Sequence, residues 1–495
     1  MKKITKYIGA ILSILLLSAC SKYLDVNPDM RAELSSVDDI KALLVTAYPS
    51  GCYATMTETA SDNVEDKGAG AEGIANRIEN ESIFKFEDNN GTDQDYPNFY
   101  WNNAYTAIAA ANTALHYIDG LSKSQQTPYL PYKGEALLCR AYAHFMLVAL
   151  YAKTYNPATA ATDIGVPYVT EPETTVQPNY SRGTVASVYE KIEQDLTEGL
   201  SLISDDAYTV PKYHFTKGAA HAFATRFYLF KQEYQQVIDH ANLVYTDGFG
   251  PNLRPWRTEY NQLSLDQLFL RYTSSNDKAN LLLLDNTTWY ARYYRTYRFG
   301  VTYSKISRIY GSNVTGGTLN LGWYYYGGNT DNIGTTKFDE YFVYSSIADN
   351  IGQGHLMWPA LTAEEALFNR AEANVALGNT NAALTDLTLF ASKRVSGYNA
   401  SQHAVTLTKV QSFYDIQDPK ESVTQAILDL KRYEFLQEGM RWFDILRHGL
   451  TVTHEVLDGV NGNVVETITV ASDDPRRQFQ LPEEAALAGI ELNPR

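Results

Sequence analysis

The sequence predicts a mainly α fold: a tetratricopeptide-like α-α superhelix with a loop-rich irregular subdomain inserted between its repeats. Three observations support this prediction. Several segments carry apolar residues at three- and four-residue spacing, which is typical of helices that bury one side. Two of these segments share a helix-turn-helix pattern. Between them lies a long stretch rich in Gly, Asn, Thr and Tyr in which the helical spacing is lost.

Composition describes a globular chain with an unusual excess of tyrosine. The 495 residues are 44% hydrophobic and 20% charged, which is enough apolar material for a large core. The formal net charge of −16 opposes phosphate backbones, so the sequence argues against a nucleic-acid partner. The chain has 37 Tyr. Since tyrosine combines an apolar ring with a polar tip, this excess favours wet binding surfaces and interfaces.

The N-terminus predicts export and attachment to a membrane. Lysines near the start precede an apolar run at 8–17 that is too short to remain as a membrane span, so residues 1–19 are predicted to be a signal peptide. The sequence Leu-Ser-Ala-Cys that ends at Cys20 resembles a bacterial lipobox, in which the cysteine is lipidated and begins the mature chain. Residues 20–34 would then be the lipidated tether. An ordinary signal peptide followed by a free cysteine is the alternative.

The first half of the mature chain reads as helices separated by one long loop. Residues 49–97 are rich in Gly, Asn, Asp, Thr and Glu, and we predict a loop there on the ligand side. Arg140 and His144 share one face of an otherwise apolar helix, and a core histidine is favoured over a ligand or base because no second His or Cys is spaced with it. The predicted helices span 35–48, 98–118, 134–151, 184–202, 216–230 and 234–245.

Two distant segments can be aligned as repeats. In this alignment, Gln232 matches Gly378 and Val237 matches Ala383, a pattern that resembles the helix-turn-helix of tetratricopeptide repeats. Such pairs cannot bury their apolar faces alone, so they should stack on one another. The predicted pairs lie at about 98–151, 184–245, 363–396 and 422–449.

The C-terminal segment 426–447 combines an apolar stripe with closely spaced charges. The stripe predicts one helix that continues until Gly439, a residue that readily adopts the left-handed conformation of a helix end. A second helix should begin at Met440, with Arg441, Asp444 and Arg447 paired along one face. We favour a structural ion-pair network over catalysis for these charges.

The segment between the repeats, 248–360, holds the candidate ligand-binding residues. Sixteen of the fifty-six residues from Trp289 to Tyr344 are aromatic, more than double the 13% of the whole chain. Aromatic rings stack on the C–H faces of sugars, and Arg or Tyr side chains bond sugar hydroxyls. Core packing, a protein interface or cation–π pairing are the alternatives. The candidates are Trp289, Tyr290, Arg292, Tyr293, Tyr294, Trp323, Tyr324, Tyr325 and Tyr326.

No motif points to catalysis, to a metal or to a cofactor. The sequence has no G-x-S-x-G and no H-E-x-x-H, and no Cys/His spacing suggests zinc. Adjacent carboxylates such as Glu364 and Glu365 point apart on a helix, whereas a glycosidase needs two carboxyls facing across a cleft. Cys139 lies in an apolar helix, and a buried role there is favoured over a disulfide with Cys52. An exported glycoside hydrolase remains the less favoured alternative.

One sequence pattern resembles a known family. Residues 432–447 read R-Y-E-F-L-Q-E-G-M-R-W-F-D-I-L-R, which resembles the C-terminal signature of the SusD/RagB family of outer-membrane nutrient-binding lipoproteins. The family usually has an acidic residue where Lys431 stands. Further segments that resemble the family, in matching order, lie at 101–112, 134–145, 370–378, 479–482 and 493–494.

The resemblance implies a division of the chain and a function. Residues 35–247 would form an N-terminal region, 248–360 the ligand-binding subdomain, and 361–495 a C-terminal region with the last repeats. The family implies a non-catalytic lipoprotein, anchored through Cys20 on the outer surface of the outer membrane. It would bind an oligo- or polysaccharide, or alternatively a peptide, and deliver it to a SusC-like TonB-dependent transporter.

Overall fold

The computed structural model describes residues 34–172, 180–459 and 462–495. The predicted signal peptide and Cys20 lie outside the described residues. Contacts divide the chain into two units, residues 1–40 and 41–495.

In the first unit, the described residues lead into the helix Val37–Leu44. The Oγ atom of Ser36 accepts a hydrogen bond from the backbone N–H of Asp39 at 3.2 Å. The Asp39 carboxylate in turn accepts from the N–H of Ser36 at 2.9 Å. These reciprocal bonds satisfy N–H groups that have no partner within the first helical turn. Ser36 therefore caps the helix, which is shorter than the predicted 35–48.

The second unit is mainly helical, as predicted, and consecutive helices pack against one another. Its longer helices are Pro97–Gly120, Leu130–Tyr151, Val185–Leu202, Lys217–Lys231, Ala363–Ala376, Thr380–Arg394 and Pro419–Glu434. Its shorter helices and helical turns are Ala54–Thr59, Ile78–Phe84, Lys123–Gln126, Tyr234–Ala241, Leu265–Tyr272, Tyr290–Tyr293, Tyr303–Ile309, Ala400–His403, Leu407–Tyr414, Met440–His448 and Glu483–Leu487. Among the described residues, none of the helices is both long and apolar enough to cross a lipid bilayer.

The two segments aligned as repeats adopt the same local geometry. Gln232 has φ 64° and Gly378 has φ 82°, so both matched positions take the left-handed conformation that ends the first helix of the pair. Val237 and Ala383 are both fully buried at the matched packing position of the second helix. The predicted tetratricopeptide-like helix pairs are therefore confirmed.

Small residues allow the most buried helix to approach its neighbour closely. A Cβ atom on Gly134 would lie 2.9 Å from the carbonyl oxygen of Gly199, which is too close for any side chain. Ala141, Ala143 and Ala149 are also buried on this helix. Close contact along this interface increases the number of dispersion contacts and leaves little void volume.

His144 is a core residue with both ring nitrogens satisfied. Its Nε2 accepts a hydrogen bond from the Val169 N–H at 3.0 Å, so Nδ1 carries the proton and donates to the Arg140 carbonyl at 2.9 Å. Burial lowers the pKa of His144 to about 3, and the ring is neutral at physiological pH. Arg140 forms two hydrogen bonds with the Asp195 carboxylate, at 2.7 and 2.8 Å. The structural interpretation of His144 is confirmed.

Cys52 and Cys139 are both buried free thiols. Burial raises the pKa of each thiol far above its ordinary value, so neither is a reactive thiolate. The predicted buried role of Cys139 is confirmed.

The predicted loop 49–97 contains two helices, Ala54–Thr59 and Ile78–Phe84, and much of it is buried. The sequence shows no apolar periodicity there because many of the side chains packed inward are polar. Asn80, for example, donates to the Phe299 carbonyl at 2.9 Å and accepts from the Phe299 N–H at 3.1 Å. Buried polar groups of this kind depend on partners that are distant in the sequence.

The predicted irregular segment 248–360 holds more regular structure than its composition indicates. Strands Asn280–Thr287, Ile351–Thr362 and Tyr341–Ser346 form an antiparallel sheet with the second of these at its centre. Strands Trp323–Tyr326 and Asn329–Thr335 form a separate hairpin. The central strand runs directly into the helix Ala363–Ala376, so the sheet is joined to the repeats without a linker. Strands Val452–Leu457 and Val464–Val470 form a second hairpin, and Glu65–Asp66 pairs with Phe299–Gly300.

Candidate functional site

The aromatic residues of the candidate site are held in place by a tight turn of the signature segment, between the helix that ends at Glu434 and Gly439. The helix Pro419–Glu434 ends five residues before Gly439, so the prediction that it continues to Gly439 is wrong. The reason is the buried carboxylate of Glu58, which accepts from the N–H of Gln437 at 3.0 Å and of Gly439 at 2.9 Å. A Cβ on Gly439 would lie only 2.1 Å from the Thr57 Oγ1 atom. Glycine is therefore required here by space as well as by its φ of +69°.

The same turn binds the aromatic subdomain through Gln437. The side-chain Oε1 atom accepts from the Thr335 N–H at 2.8 Å, and Nε2 donates to the Ile333 carbonyl at 2.9 Å. The Tyr290 hydroxyl donates to the Gln437 carbonyl at 3.0 Å. Gln437 therefore bonds the hairpin Trp323–Thr335 much as a neighbouring strand would.

Lys337, two residues after that hairpin, makes a second connection. It is fully buried, and its ammonium group donates to the carbonyls of Glu434 and Leu436 and to the Glu438 carboxylate at 2.6 Å. The Tyr272 hydroxyl donates to the same carboxylate at 2.7 Å. A buried charge is tolerated only with such a complete set of partners. Together, Gln437 and Lys337 fix the aromatic hairpin to the helical scaffold.

The charges of the second signature helix are buried and paired, but not as predicted. Arg441 does not pair with Asp444; its guanidinium instead makes two bonds to the Asp62 carboxylate, at 2.8 and 2.9 Å. Of the predicted pairs within this helix, the one that forms is Arg447 with Asp444, at 2.9 Å. The Arg441 partner comes from the segment predicted as a loop, which sequence spacing within one helix cannot reveal.

The position where the family usually has an acidic residue is also ion-paired. Lys431 contacts Asp444 and lies 3.7 Å from Glu372, which also forms two bonds with Arg447 at 2.6 and 2.9 Å. Burial opposes the ionisation of Glu372, but Arg447 and Lys431 outweigh it and hold the pKa of that carboxyl well below its ordinary value. Carboxylates held ionised in this way are poor general acids, which favours the structural interpretation of this network.

Two of the predicted ligand-binding tyrosines belong to the core. Tyr290 and Tyr294 are each only 2% exposed, and their rings stack with centroids 5.4 Å apart. The Tyr294 hydroxyl donates to the Thr335 carbonyl at 2.9 Å. Their four-residue spacing places both rings on the inner side of the chain turn, so neither offers a face to a ligand.

Three of the predicted residues lie half-buried beside them. The Arg292 guanidinium lies 4.3 Å from the Trp289 ring centroid and donates to the Glu340 carboxylate at 2.8 Å. The Tyr293 ring is covered by the Arg77 guanidinium at 5.1 Å. Arg77 is absent from the predicted site because it lies in the segment 49–97, where composition gave no signal for individual residues.

The hairpin carries the most exposed of the predicted aromatics. Side chains alternate along its first strand, so Trp323 and Tyr325 share one face while Tyr324 and Tyr326 share the other. Tyr325 is 48% exposed and Tyr326 is 44% exposed. Tyr303, 49% exposed, lies with its ring centroid 6.4 Å from that of Trp323 and 6.3 Å from that of Tyr325. We refer to Tyr303, Trp323 and Tyr325 as the hairpin surface.

The opposite face of the hairpin is held by Arg295. Its guanidinium donates to the Tyr324 hydroxyl and lies 4.6 Å from the Tyr326 ring centroid. A Cβ on Gly334 would lie 2.8 Å from the Arg295 side chain, so the strand passes very close to it. Arg295 therefore connects the hairpin to the chain turn that bears Trp289.

A buried acid positions Trp289. Asp95 has φ 73°, and its carboxylate accepts from the Trp289 N–H at 2.9 Å and from the Thr288 hydroxyl. Burial raises the pKa of Asp95 to about 7, well above the ordinary value for an aspartate. The protonation of this carboxyl is therefore coupled to the backbone that presents Trp289.

A separate cavity of about 620 Å³ lies beside the strand Asn280–Thr287. Its lining is mostly apolar and includes Leu284 and Tyr213; on its polar side, Asp285 contacts His355 at 2.9 Å. Within residues 34–172, 180–459 and 462–495, no three His, Cys, Asp or Glu side chains are grouped as metal ligands.

Two family models match the chain. Residues 22–229 match a SusD-like model described as "Starch-binding associating with outer membrane", and residues 281–480 match the model of the SusD family. Together these models cover the N-terminal helices, most of the aromatic segment and the signature turn. No curated protein shows a significant match.

Solved structures of similar fold include a SusD superfamily protein from Bacteroides thetaiotaomicron, with TM-score 0.66 and 18% identity over 93% of this chain and 100% of that one. A SusD-like carbohydrate-binding protein from Bacteroides vulgatus has TM-score 0.63 and 15% identity over 92% and 97% of the two chains. A laminarin-binding SusD-like protein has TM-score 0.58 and 18% identity over 92% and 99%. At these identities the likeness shows a shared fold.

Proposed function

The chain belongs to the SusD/RagB family, and from this premise we propose that it is a non-catalytic protein that binds an oligo- or polysaccharide on the hairpin surface. The observation that supports this most strongly is the exposed aromatic group of Tyr303, Trp323 and Tyr325. Single exposed rings are common on protein surfaces, whereas a contiguous group of them often marks a binding surface. Their faces suit the C–H faces of sugar rings, and the tyrosine hydroxyls can bond sugar hydroxyls.

The way the hairpin is anchored also supports ligand binding. Gln437 and Lys337 fix its backbone from one side, and Arg295 fixes it from the other. A rigid surface loses little conformational freedom when a ligand binds, so more of the contact energy appears as affinity. The half-buried Trp289, Arg292 and Tyr293 extend the proposed ligand-binding subdomain, 248–360, beyond the hairpin.

Substitutions on the hairpin surface test this proposal. We expect Tyr325→Ala and Trp323→Ala each to weaken binding of the tightest-binding oligosaccharide in a panel by at least about fivefold, the loss typical of an aromatic contact residue. Isothermal titration calorimetry measures the change. Tyr213→Ala is the matched control, because Tyr213 is also an exposed tyrosine but lines the separate apolar cavity. Unchanged affinity in both hairpin variants would refute the assignment of the site.

Peptide binding is the second candidate function, and the apolar cavity favours it. Its volume of about 620 Å³ is ample for a large side chain, and Asp285 is available beside it to accept hydrogen bonds. If the ligand is a peptide that inserts there, Tyr213→Ala should weaken binding while Tyr325→Ala should not. The same two variants therefore distinguish the two functions.

The proposal includes a location and a partner. The lipobox-like sequence ending at Cys20 supports a lipid anchor, and the family supports attachment at the outer surface of the outer membrane. We infer that the protein delivers its ligand to a SusC-like TonB-dependent transporter. Replacement of Cys20 by Ala should release the protein from the membrane fraction, and affinity purification of the lipidated form should recover a transporter. Membrane association that survives Cys20→Ala would contradict the anchor.

A further inference from the structure

A second, polar cavity of about 280 Å³ lies between the helix Tyr303–Ile309 and the end of the helix Pro419–Glu434. It is unlike the apolar cavity because charged side chains make up much of its lining. These side chains are Lys305, Arg308, Arg432, Asp62 and Asp429.

Both carboxylates of this cavity already have partners. Asp62 accepts two bonds from Arg441, at 2.8 and 2.9 Å. Asp429 accepts from the Tyr414 hydroxyl at 2.8 Å and from the Gln425 amide at 3.0 Å. Their hydrogen-bonding capacity is therefore largely used within the protein, and their charge is partly balanced by Arg441 outside the cavity.

The positive charges of the cavity are less completely neutralised by nearby carboxylates than the carboxylates are by their own partners. Lys305 lies 3.6 Å from Glu65, and Arg432 lies 3.6 Å from the Asp62 carboxylate that Arg441 binds. Burial lowers the pKa of Lys305, and the nearby Arg432 and Arg308 add to this effect although Glu65 and Asp62 oppose it. Three cations and two carboxylates line the cavity, and Arg441 binds one of the two carboxylates, so the charges around the cavity sum to a positive excess.

Arg308 has a guanidinium group that is free to form hydrogen bonds with a ligand. It is exposed at the cavity, and no hydrogen bond or ion pair of its guanidinium is found within the described part of the chain. The Lys305 ammonium, half-buried beside it, donates to the Asp62 carbonyl at 2.9 Å. A guanidinium without partners is suited to bind an anionic oxygen group.

We propose that this cavity binds the carboxylate or sulfate group of an acidic sugar, with Arg308 as the main contact, while a neighbouring ring of the same glycan stacks on the hairpin surface. This inference rests on the proposed function and specifies its substrate class as an anionic glycan. Tyr303 and Arg308 lie on one short helix, about 8 Å apart along its axis. Their side chains also point about 140° apart around that axis, so a glycan that contacts both must pass over the exposed Ser304 and Ser307 between them.

The test compares acidic oligosaccharides with their neutral forms on the full mature protein. Suitable pairs are oligogalacturonate with its methyl ester, and a sulfated oligosaccharide with its desulfated form. We expect the acidic member of at least one pair to bind at least about tenfold more tightly, since hydrogen bonds to a charged group are stronger than those to a neutral one. The advantage should shrink as salt is raised. Inorganic sulfate is included as a separate probe, and sulfate alone binding as tightly as the acidic sugar would overturn the assignment to a glycan.

Two variants are expected to change the preference for the acidic sugar in opposite directions. Arg308→Gln should abolish most of the preference for the acidic form, whereas Asp429→Asn should increase that preference because it removes a negative charge from the cavity. Lys420→Gln is the control, because it removes a positive charge from the same helix as Arg432 but about three turns away. If Arg308→Gln and Lys420→Gln behave alike, or if no acidic form binds more tightly than its neutral partner, the inference is wrong.

The outcomes also separate this inference from the proposed function. Neutral oligosaccharides that bind through Tyr325 with no preference for acidic forms would remove the anionic class and leave the glycan-binding function intact. Binding of peptides alone, insensitive to Tyr325→Ala, would remove both.

Discussion

Lys337 offers a direct test of how the aromatic hairpin is attached to the scaffold. Lys337 lies two residues after the hairpin, and its fully buried ammonium group donates to the Glu438 carboxylate and to the carbonyls of Glu434 and Leu436. Lys337→Met keeps most of the volume but removes the charge. Among the residues that the structure describes, the Tyr272 hydroxyl is then the one side-chain donor left to the buried Glu438 carboxylate.

The expected cost follows from these contacts. Breaking a buried ion pair by removing one partner typically costs about 3–5 kcal/mol, because the other charge stays desolvated. We expect Lys337→Met to lower the free energy of unfolding by about that amount. The double variant Lys337→Met with Glu438→Gln should lose less than the sum of the two single variants, with a coupling of about 1–3 kcal/mol.

Urea unfolding followed by tryptophan fluorescence measures these differences, with the slope of the transition as a check that the unfolded state is unchanged. Lys420→Met, at an exposed position, is the control and should stay within about 0.5 kcal/mol of the wild type. A Lys337→Met protein within about 1 kcal/mol of the wild type, or fully additive single variants, would refute the claim that this contact holds the hairpin.

Two further predictions concern the turn and the acid beside the site. In urea unfolding, Gly439→Ala should destabilise the protein by about 2–3 kcal/mol more than Gly378→Ala. Both glycines have positive φ, but of the two only Gly439 has another atom within 4 Å of where its Cβ would lie. Equal losses of stability in the two variants would contradict a steric clash at Gly439. Because the folded-state pKa of Asp95 is raised to about 7, its contribution to stability is present below about pH 4 and is lost as pH rises towards 7. The difference in thermal midpoint between wild type and Asp95→Asn should change across that window, and a constant difference from pH 4 to 8 would contradict the assignment.

Local pattern was sufficient to predict the helical scaffold. The apolar spacing that defines each helix and the turn shared by Gln232 and Gly378 depend on residues close together in the sequence, and both are present in the structure. The buried role of His144 could also be predicted, because an isolated histidine on an apolar helix has no partner for chemistry nearby in sequence.

The details of the candidate site depend on distant contacts and could not be predicted in the same way. Tyr290 and Tyr325 are the same residue type in the same aromatic segment, yet one bonds the signature turn in the core and the other is half exposed. Tyr303 lies outside the hairpin in sequence, and the fold brings its ring beside those of Trp323 and Tyr325. The partner of Arg441 is Asp62, which lies in a segment of the chain that shows no helical pattern.

The central claim is that a glycan binds on Tyr303, Trp323 and Tyr325. A crystal structure of the protein with the tightest-binding oligosaccharide tests it most directly. We predict a sugar ring in van der Waals contact, at about 4 Å, with the face of at least one of these aromatic rings. A sugar bound in the apolar cavity beside Tyr213, with the hairpin surface empty, would contradict the account.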